Sequence, residues 1–287
     1  MIVNKLASNH SSFPDKLKAI PSPPKTLFSV GNLSNLHDSP VVSVVGSRSV
    51  TPYGKQVTTK LVSELASRGV AIVSGLALGV DALAHQAALD SGGYTAAVLP
   101  SPVTAIYPAS NRQLAQRILE NDGALISEYG DDDRSEAFKM RFIARNRLVS
   151  GLADVLLITE ASERSGTLHT ANFALEQGRT VMAVPGNITS PTSAGTNNLI
   201  KAGAIPVTDV SDVLTALGLN NKQVQLEILA ANKEEEAILD LIKQGITDSA
   251  EILAQCGLNS ALFNQTLTML EITGKIKPLG SGHWGLK

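Results

Sequence analysis

Cysteine is almost missing from this chain. Cys256 is the one cysteine in 287 residues, which excludes a disulfide framework and a thiolate metal site and leaves a buried, inert helical thiol as the expected state. Aromatic residues make up only 4%, too few for a surface covered in stacking platforms, so an aromatic binding site has to be small and local. No run of about 18 apolar residues occurs, and no charged-then-apolar leader opens the chain, so a soluble, cytoplasmic protein is expected. A large charge of one sign is lacking too. The formal net charge of −2 supplies no global field to attract a polyanion.

Two phosphate-binding fingerprints are also absent. Gly75 to Gly79 does not form Gly-x-Gly-x-x-Gly, and no Gly-x-x-x-x-Gly-Lys-Ser/Thr loop exists. The five histidines (His10, His37, His85, His169, His283) have no metal-ligand spacing, so neither a metal nor another cofactor is expected. His85, four residues after Asp81, reads as structural; His169 stays open between a structural and a site role. No Ser-His-Asp arrangement can be argued from spacing. Glu128 and Glu160 end apolar runs without an obvious partner and read as structural. No catalytic constellation emerges, and an enzyme is not expected.

What is present is a local basic cluster. Residues 138–149 bring Lys139, Arg141, Arg145 and Arg147 together with Phe138 and Phe142. Cations that follow a phosphate backbone and rings that stack bases are what single-stranded nucleic acid binding requires; the alternative is an ordinary solvated helix start. Arg145 and Arg147 lie about 200° apart on a helix, so one is expected to face a ligand and the other to fix the helix or an interface. Arg141 and Arg145 share a face if the helix begins early.

Residues 1–40 form a polar, proline-rich arm, with an extended piece from Thr26 to Val30 expected at a sheet edge. From Val41, near-continuous apolar runs (Val41–Gly46, Val70–Gly75, Thr95–Pro100, Ala124–Tyr129, Val155–Glu160, Thr180–Pro185) alternate with helical patterns (Tyr53–Ser67, Gly79–Ser91, Asn111–Asn121, Ile143–Gly151, Thr167–Gln177, Thr196–Lys201). Strands apolar on both faces and separated by helices predict an α/β fold with a doubly wound, mainly parallel sheet over 41–218, closing with a strand at Pro206–Val210 and a helix ending near Gly218. A linker over 219–232 is expected. Residues 233–287 then read as helices over Glu234–Lys243, Asp248–Gln255 and Ser260–Gly274 and a hairpin around Ile276 and Trp284, which is a small winged helix. Its charge balance is acidic and its third helix carries no Lys or Arg, which favours a protein-contact module over a reader of duplex DNA.

Ligands of an open parallel sheet sit outside the carboxyl ends of its strands. Three such ends carry the same chemistry: Gly46-Ser47-Arg48, Ser74-Gly75-Leu76-Ala77-Leu78-Gly79-Val80-Asp81, and Ser162 to Thr170 with Ser165-Gly166-Thr167 opening a helix. Glycine permits the tight turn, helix-start amides and hydroxyls can hold an anion, and Arg48 adds a forked cation. One such turn is weak evidence; three point to a composite anion site.

The order Gly46-Ser47-Arg48, Ser74-Gly75-x-Ala77-x-Gly79-x-Asp81 with His85, Tyr107-Pro108, Ser127-Glu128-Tyr129, Phe142-x-x-Arg145-Asn146-Arg147, Ser165-Gly166-Thr167-x-x-Thr170, Ala183-Val184-Pro185-Gly186 and Leu199-Ile200-x-x-Gly203-Ala204 resembles the DNA-processing protein A family (DprA, also called Smf). The resemblance runs from about Val41 to Val213. It implies an extended Rossmann-like domain that dimerises, binds single-stranded DNA and loads a RecA-type recombinase during natural transformation, with a C-terminal winged helix. It places strand contacts on Ser47, Arg48, Gly75, Lys139, Phe142, Arg145, Asn146 and Arg147, with Ser165, Gly166 and Thr167 nearby, and it implies no membrane association. Three features depart from the family pattern. Residues 1–40 are too short for the N-terminal helical domain that many members carry, Leu99-Pro100-Ser101-Pro102-Val103 stands where glycines are usual, and Ile143 replaces a usual proline. A nucleotide phosphoribohydrolase of the same superfamily is the alternative; Ser165-Gly166-Thr167 with Glu176 matches its loop only loosely and lacks the double glycine.

Overall fold

The fold follows from alternation within each strand. In the computed structural model, Val41 and Val45 of β3 (Val41–Val45) join one apolar cluster while Val42 and Val44 join another on the opposite face. Leu156 and Ile158 of β7 (Val155–Ile158) likewise face away from Val155 and Leu157. Side chains of a strand alternate between faces, so a strand covered on both sides needs an unbroken apolar run. The description covers residues 2–133, 138–219, 232–273, 275–280 and 282–286.

The other strands are β1 (Asn4–Ala7), β2 (Thr26–Gly31), β4 (Ala71–Ser74), β5 (Thr95–Leu99), β6 (Ala124–Ser127), β8 (Thr180–Ala183) and β9 (Ile205–Pro206). They form a nine-stranded sheet in the order β1-β2-β6-β5-β4-β3-β7-β8-β9. From β6 to β9 every pairing is parallel, and the order reverses at β3, which has β4 on one side and β7 on the other. On one face lie α1 (Asp15–Lys18), α6 (Phe138–Leu152) and α7 (Thr167–Glu176); on the other lie α3 (Pro52–Ser67), α4 (Val80–Asp90) and α9 (Val210–Ala216). Helices α2 (Asn35–Asp38), α5 (Arg112–Glu120) and α8 (Ala194–Lys201) complete this unit. Strand β9 is shorter than expected, because Val210 already opens α9 under the Asp209–Asp212 capping box.

The first forty residues are not a loose arm. β1 pairs antiparallel with β2, and β2 pairs antiparallel with β6, so the Thr26 segment extends the sheet from β6. Phe13, Leu17 and Ile20 are buried in the same cluster as Leu148, Val149 and Leu152 of α6. A side chain at Gly151 would meet Leu17 and Ile20 at 3.0 and 2.9 Å, so this glycine lets the segment lie against α6. Lys16 pairs with Asp154 at 2.6 Å, and the same carboxylate oxygen accepts from the Val41 N–H at 2.8 Å. Phe13, Leu17 and Ile20 do keep a helical i, i+4, i+7 spacing, but the helix they mark, α1, is only four residues long and follows Pro14, so the signal is too brief to predict the packing.

The described residues from Asn232 onward form a second compact unit, and the expected linker over 219–232 lies, but for its two end residues, outside the described residues. It contains α10 (Lys233–Lys243), α11 (Ser249–Gln255) and α12 (Ser260–Ile272), followed by the hairpin β10 (Ile276–Gly280) and β11 (His283–Leu286). Asn232, Asp248 and Asn259 cap the three helices by accepting from backbone amides. Ile238, Leu239, Phe263, Leu270 and Ile276 form its core. Gly280 and Gly282 take φ of 93° and 80° in the hairpin turn, the conformation glycine adopts without a Cβ penalty. This is the expected helix-helix-helix-wing order.

Phe13→Ala should lower the stability of the sheet-bearing unit by about 3–5 kcal/mol, read from its urea unfolding midpoint. A loss below about 0.5 kcal/mol, the effect of an ordinary surface change, would contradict the core role of the N-terminal segment.

Candidate single-strand interface

The carboxyl ends of β4, β3 and β7 lie side by side, and their loops are stitched to one another by backbone hydrogen bonds. Ser47 donates its N–H to the Glu160 carbonyl (2.8 Å), and Val80 donates to the Ser47 carbonyl (3.1 Å). The Thr167 hydroxyl donates to the Gly46 carbonyl at 3.0 Å. Gly79 has a φ of 79°, and a Cβ there would fall 2.2 Å from the Ser47 carbonyl oxygen; only glycine lets the two loops approach so closely. The Thr51 N–H donates to Glu160 Oε2 at 2.9 Å, so Glu160, buried to 2% exposure, organises the start of α3.

These loops and α6 enclose a cleft of about 510 Å³. Among the predicted site residues, Ser47, Arg48, Phe142, Arg145, Asn146, Ser165, Gly166 and Thr167 line it. The Arg48 guanidinium lies over the Phe142 ring, 5.3 Å from its centroid. Tyr107 meets Phe142 edge to face at 5.5 Å and 76°. Arg48 is exposed and Phe142 partly so. An exposed cation and a ring therefore meet at the cleft wall, and a second ring packs against the first.

The three arginines of the basic segment are bonded to other groups of the protein. Arg145 is 4% exposed and donates from Nη1 to the Gly75 carbonyl (2.6 Å) and the Val98 carbonyl (2.7 Å); its Nε finds no acceptor among the described residues. Arg147 grips both oxygens of Glu128 at 2.6 and 2.8 Å. Arg141 pairs with Asp133 at 2.7 Å and lies over Tyr129 at 4.3 Å. Helix α6 begins at Phe138, earlier than the expected Ile143, so Arg141 and Arg145 do share a face, and both are buried. The expectation that one of Arg145 and Arg147 faces a ligand is corrected: neither presents an open guanidinium, and Arg147 does not line the cleft. Gly75 is also absent from the cleft wall. It is buried, and a Cβ there would lie 1.8 Å from Arg145 Nη1 and 2.6 Å from Asp81 Oδ2, so it makes room for the buried charge.

Ser165 and Thr167 line the cleft but spend their hydroxyls on each other and on Gly46. The Ser165 and Thr167 amides are engaged as well, with Ser162 and the Ser165 hydroxyl respectively. The expectation of unpaired amides at these two positions therefore fails; they shape the loop. The side chains of Phe138 and Lys139 lie outside the described residues. In the sequence Tyr107 stands out only as part of the Tyr107-Pro108 motif, because nothing there brings it to Phe142. His169, Asp81, Ile143 and Thr192 also line the cleft.

Beneath the cleft sits a buried polar cluster. Asp81 accepts from the Gly75 and Ala77 amides at 3.1 and 3.4 Å; burial raises its pKa, and the Arg145 charge opposes that rise. His85 is fully buried, with Nδ1 bonded to the Thr95 hydroxyl at 2.7 Å, which agrees with its structural reading. Desolvation, aided by Arg145, holds the imidazole neutral, with a pKa of about 3. Among the described residues no group of three or more His, Cys, Asp or Glu side chains could hold a metal ion, and no helix is long and apolar enough to cross a membrane.

The chain is thus an α/β protein with a mainly parallel Rossmann-like sheet, a polar cleft at its order reversal and a winged helix joined in sequence. The chain belongs to the DNA recombination-mediator protein A (DprA) family: that family's model matches residues 4–218, and the DprA winged helix domain matches 225–282. It is 37% identical to the DNA processing protein DprA of Bacillus subtilis over 77% of this chain and 73% of the relative. It is 45% identical to the protein Smf of Escherichia coli over 71% of this chain, spanning 54% of that relative. Among solved structures, it resembles DprA from Streptococcus pneumoniae with a TM-score of 0.68 at 39% identity, covering 74% of this chain and 73% of that one. The structure of DNA processing protein A from Helicobacter pylori, which concerns the single-stranded DNA binding mode of that protein, matches with a TM-score of 0.66 at 35% identity, covering 75% and 95%.

Burial of His85 carries a pH signature. The unfolded state binds a proton near the ordinary histidine value of 6.5 and the folded state only near 3, so this residue's contribution is complete above about pH 6.5 and is lost as pH falls toward 3. Stability should decline by up to about 1.4 kcal/mol per pH unit from this group in that window. In His85→Gln that share of the slope should vanish, as read by urea unfolding between about pH 6 and 4; equal slopes in both proteins would contradict the assignment.

Proposed function

We propose that the protein binds single-stranded DNA at the cleft, without turning it over, and delivers the strand to a RecA-type recombinase during DNA uptake by natural transformation. It acts in the cytoplasm as a homodimer, a reading carried from the family resemblance. The observation that carries the binding proposal is the contact of exposed Arg48 with the Phe142 ring on the wall of the cleft, with Tyr107 packed against that ring. A base arriving at Phe142 exchanges with the Arg48 guanidinium, which then meets a phosphate. Arginine suits both tasks, since its planar fork stacks on rings and grips phosphate oxygens. Lys139, four residues before Ile143 on α6, is proposed as a second phosphate contact. Asn146, one turn after Phe142 on the cleft wall, offers donors and an acceptor to a base edge or sugar. Ser47, Ser165, Gly166 and Thr167 form the cleft floor, while Gly75, Arg145 and Arg147 contribute by holding α6 and the loops in place.

Two mutant sets test this reading with labelled oligothymidylate, compared with duplex DNA and with hydrolysis of free nucleotides. Arg48→Ala and Lys139→Ala should each weaken binding and flatten the slope of log affinity against log salt by roughly 0.7. Phe142→Ala should cost about 1–3 kcal/mol with little change in slope. Slopes unchanged in both cation variants would remove those residues from the site, and nucleotide hydrolysis would favour the phosphoribohydrolase alternative.

The winged helix is proposed as a protein-contact module. Lys275 is paired with Glu235 at 2.5 Å, His283 with the Thr247 hydroxyl at 3.2 Å, and the Trp284 N–H donates to Ser249 at 3.0 Å. Of that basic and aromatic group, Lys277 is the exposed cation. A chain ending near Gly218 should therefore keep most of its single-strand affinity. Loss of most binding from a truncated protein that stays folded would overturn the protein-contact reading.

A further inference from the structure

Past Thr192 a second hollow of about 500 Å³ adjoins the cleft. Thr192 lines both, so they share a wall. The second hollow lies beyond the carboxyl end of β8, the neighbour of β7 on the side away from β3. Tyr53, in the first turn of α3, forms one side of it.

Tyr53 is 46% exposed yet held at both ends. Its hydroxyl donates to the Pro185 carbonyl at 2.7 Å. Its backbone is fixed by the next residue, Gly54, where a Cβ would fall 1.9 Å from the Glu160 carboxylate. An exposed ring that is already immobilised loses little conformational entropy when a flat ligand stacks on it.

The facing turn is equally constrained. The Asn197 side chain accepts from the Gly186 N–H and donates to the Gly186 carbonyl, both at 3.1 Å. Asn187 Oδ1 accepts from the Thr189 N–H at 3.0 Å and its hydroxyl at 2.9 Å, which orients the NH2 end of that amide away from the turn. The Ser190 and Thr192 hydroxyls are bonded to each other at 2.9 Å. Among the described residues no Lys, Arg, Asp or Glu lines this hollow. A phosphate or metal ion finds no countercharge there, whereas a flat, uncharged group with a polar edge finds a ring to stack on and hydroxyls and an amide to meet its edge.

We propose that this hollow is a second base site for the strand seated in the cleft: a nucleobase stacks on Tyr53, and the Asn187–Thr192 turn meets its polar edge. The proposal rests on the single-strand reading, since continuity through Thr192 is what delivers a base there. Stacking accepts any base, so the site lengthens the footprint without imposing a sequence.

The test uses the full chain and a labelled oligothymidylate in which a single abasic position is walked along the strand. In the wild type, abasic substitution should cost affinity at two separate positions. Phe142→Ala should erase one penalty and Tyr53→Ala the other, with Tyr53→Ala weakening the intact strand about five- to a hundredfold at unchanged salt slope. Tyr53→Phe, which keeps the ring and loses the tether, should fall between. Tyr53→Trp gives a readout that does not depend on the alanine variant folding: its fluorescence above the wild-type Trp284 background should change with the intact strand and not with the strand abasic at the second position. An unaltered abasic profile in Tyr53→Ala, or a Tyr53→Trp signal indifferent to the strand, overturns the second site while the Phe142 penalty persists. A wild type that binds no oligothymidylate overturns the single-strand reading itself.

Discussion

Arg145 carries a positive charge that it cannot discharge by losing a proton, and the fold buries it. The carbonyls of Gly75 and Val98, at the ends of neighbouring strands, accept from its Nη1. That demand explains much around it. Position 75 must be glycine, because a Cβ would occupy the guanidinium's place. His85 must stay neutral near a fixed cation, and Asp81 supplies the compensating field. Removing the charge would leave buried carbonyls without their donor, a penalty larger than the net worth of the bonds themselves. With α6 held to the strand ends, Phe142, three residues earlier, is carried to the cleft wall.

The basic segment thus divides its labour in a way composition conceals. Arg141, Arg145 and Arg147 are clamps, to Asp133, to two carbonyls and to Glu128. The exposed cation at the ring comes from the loop after β3, about a hundred residues upstream. A cation is drawn to a ring face by the ring quadrupole, and that contact keeps Arg48 at the site before any ligand arrives. The same division holds in the winged helix, where Lys275 is paired with Glu235 and the Trp284 N–H with Ser249 in the first turn of α11.

Some elements were legible from residues alone. A strand covered on both faces requires an unbroken apolar run, so β3 to β8 and their crossovers could be read directly, as could the three capped helices and glycine turn of the winged helix. The rule that ligands collect at strand ends where the order reverses pointed to Ser47 and Arg48; Phe142 was indicated by the basic aromatic segment, and Asn146 only by the family resemblance. The N-terminal segment was hard to read: Phe13, Leu17 and Ile20 keep a helical i, i+4, i+7 spacing, but over less than three turns between Pro14 and Pro21, and their burial depends on packing against α6 that exists only after folding. The early start of α6 was hidden for a related reason, since its first turn mixes apolar and charged residues with no dominant face.

By itself, the amino-acid order determined the sheet, the crossovers, the second unit and the strand ends where chemistry collects, because hydrophobic periodicity and glycine placement are local properties. Only the tertiary structure decided which cation serves a ligand and which serves the protein. A guanidinium's role depends on whether its neighbours in space are carbonyls, carboxylates or open solvent. Those neighbours lie 70 and 47 residues away for Arg145 and 19 for Arg147, beyond the reach of any spacing rule. The pinning of Tyr53 to Pro185, across 132 residues, was decided in the same way.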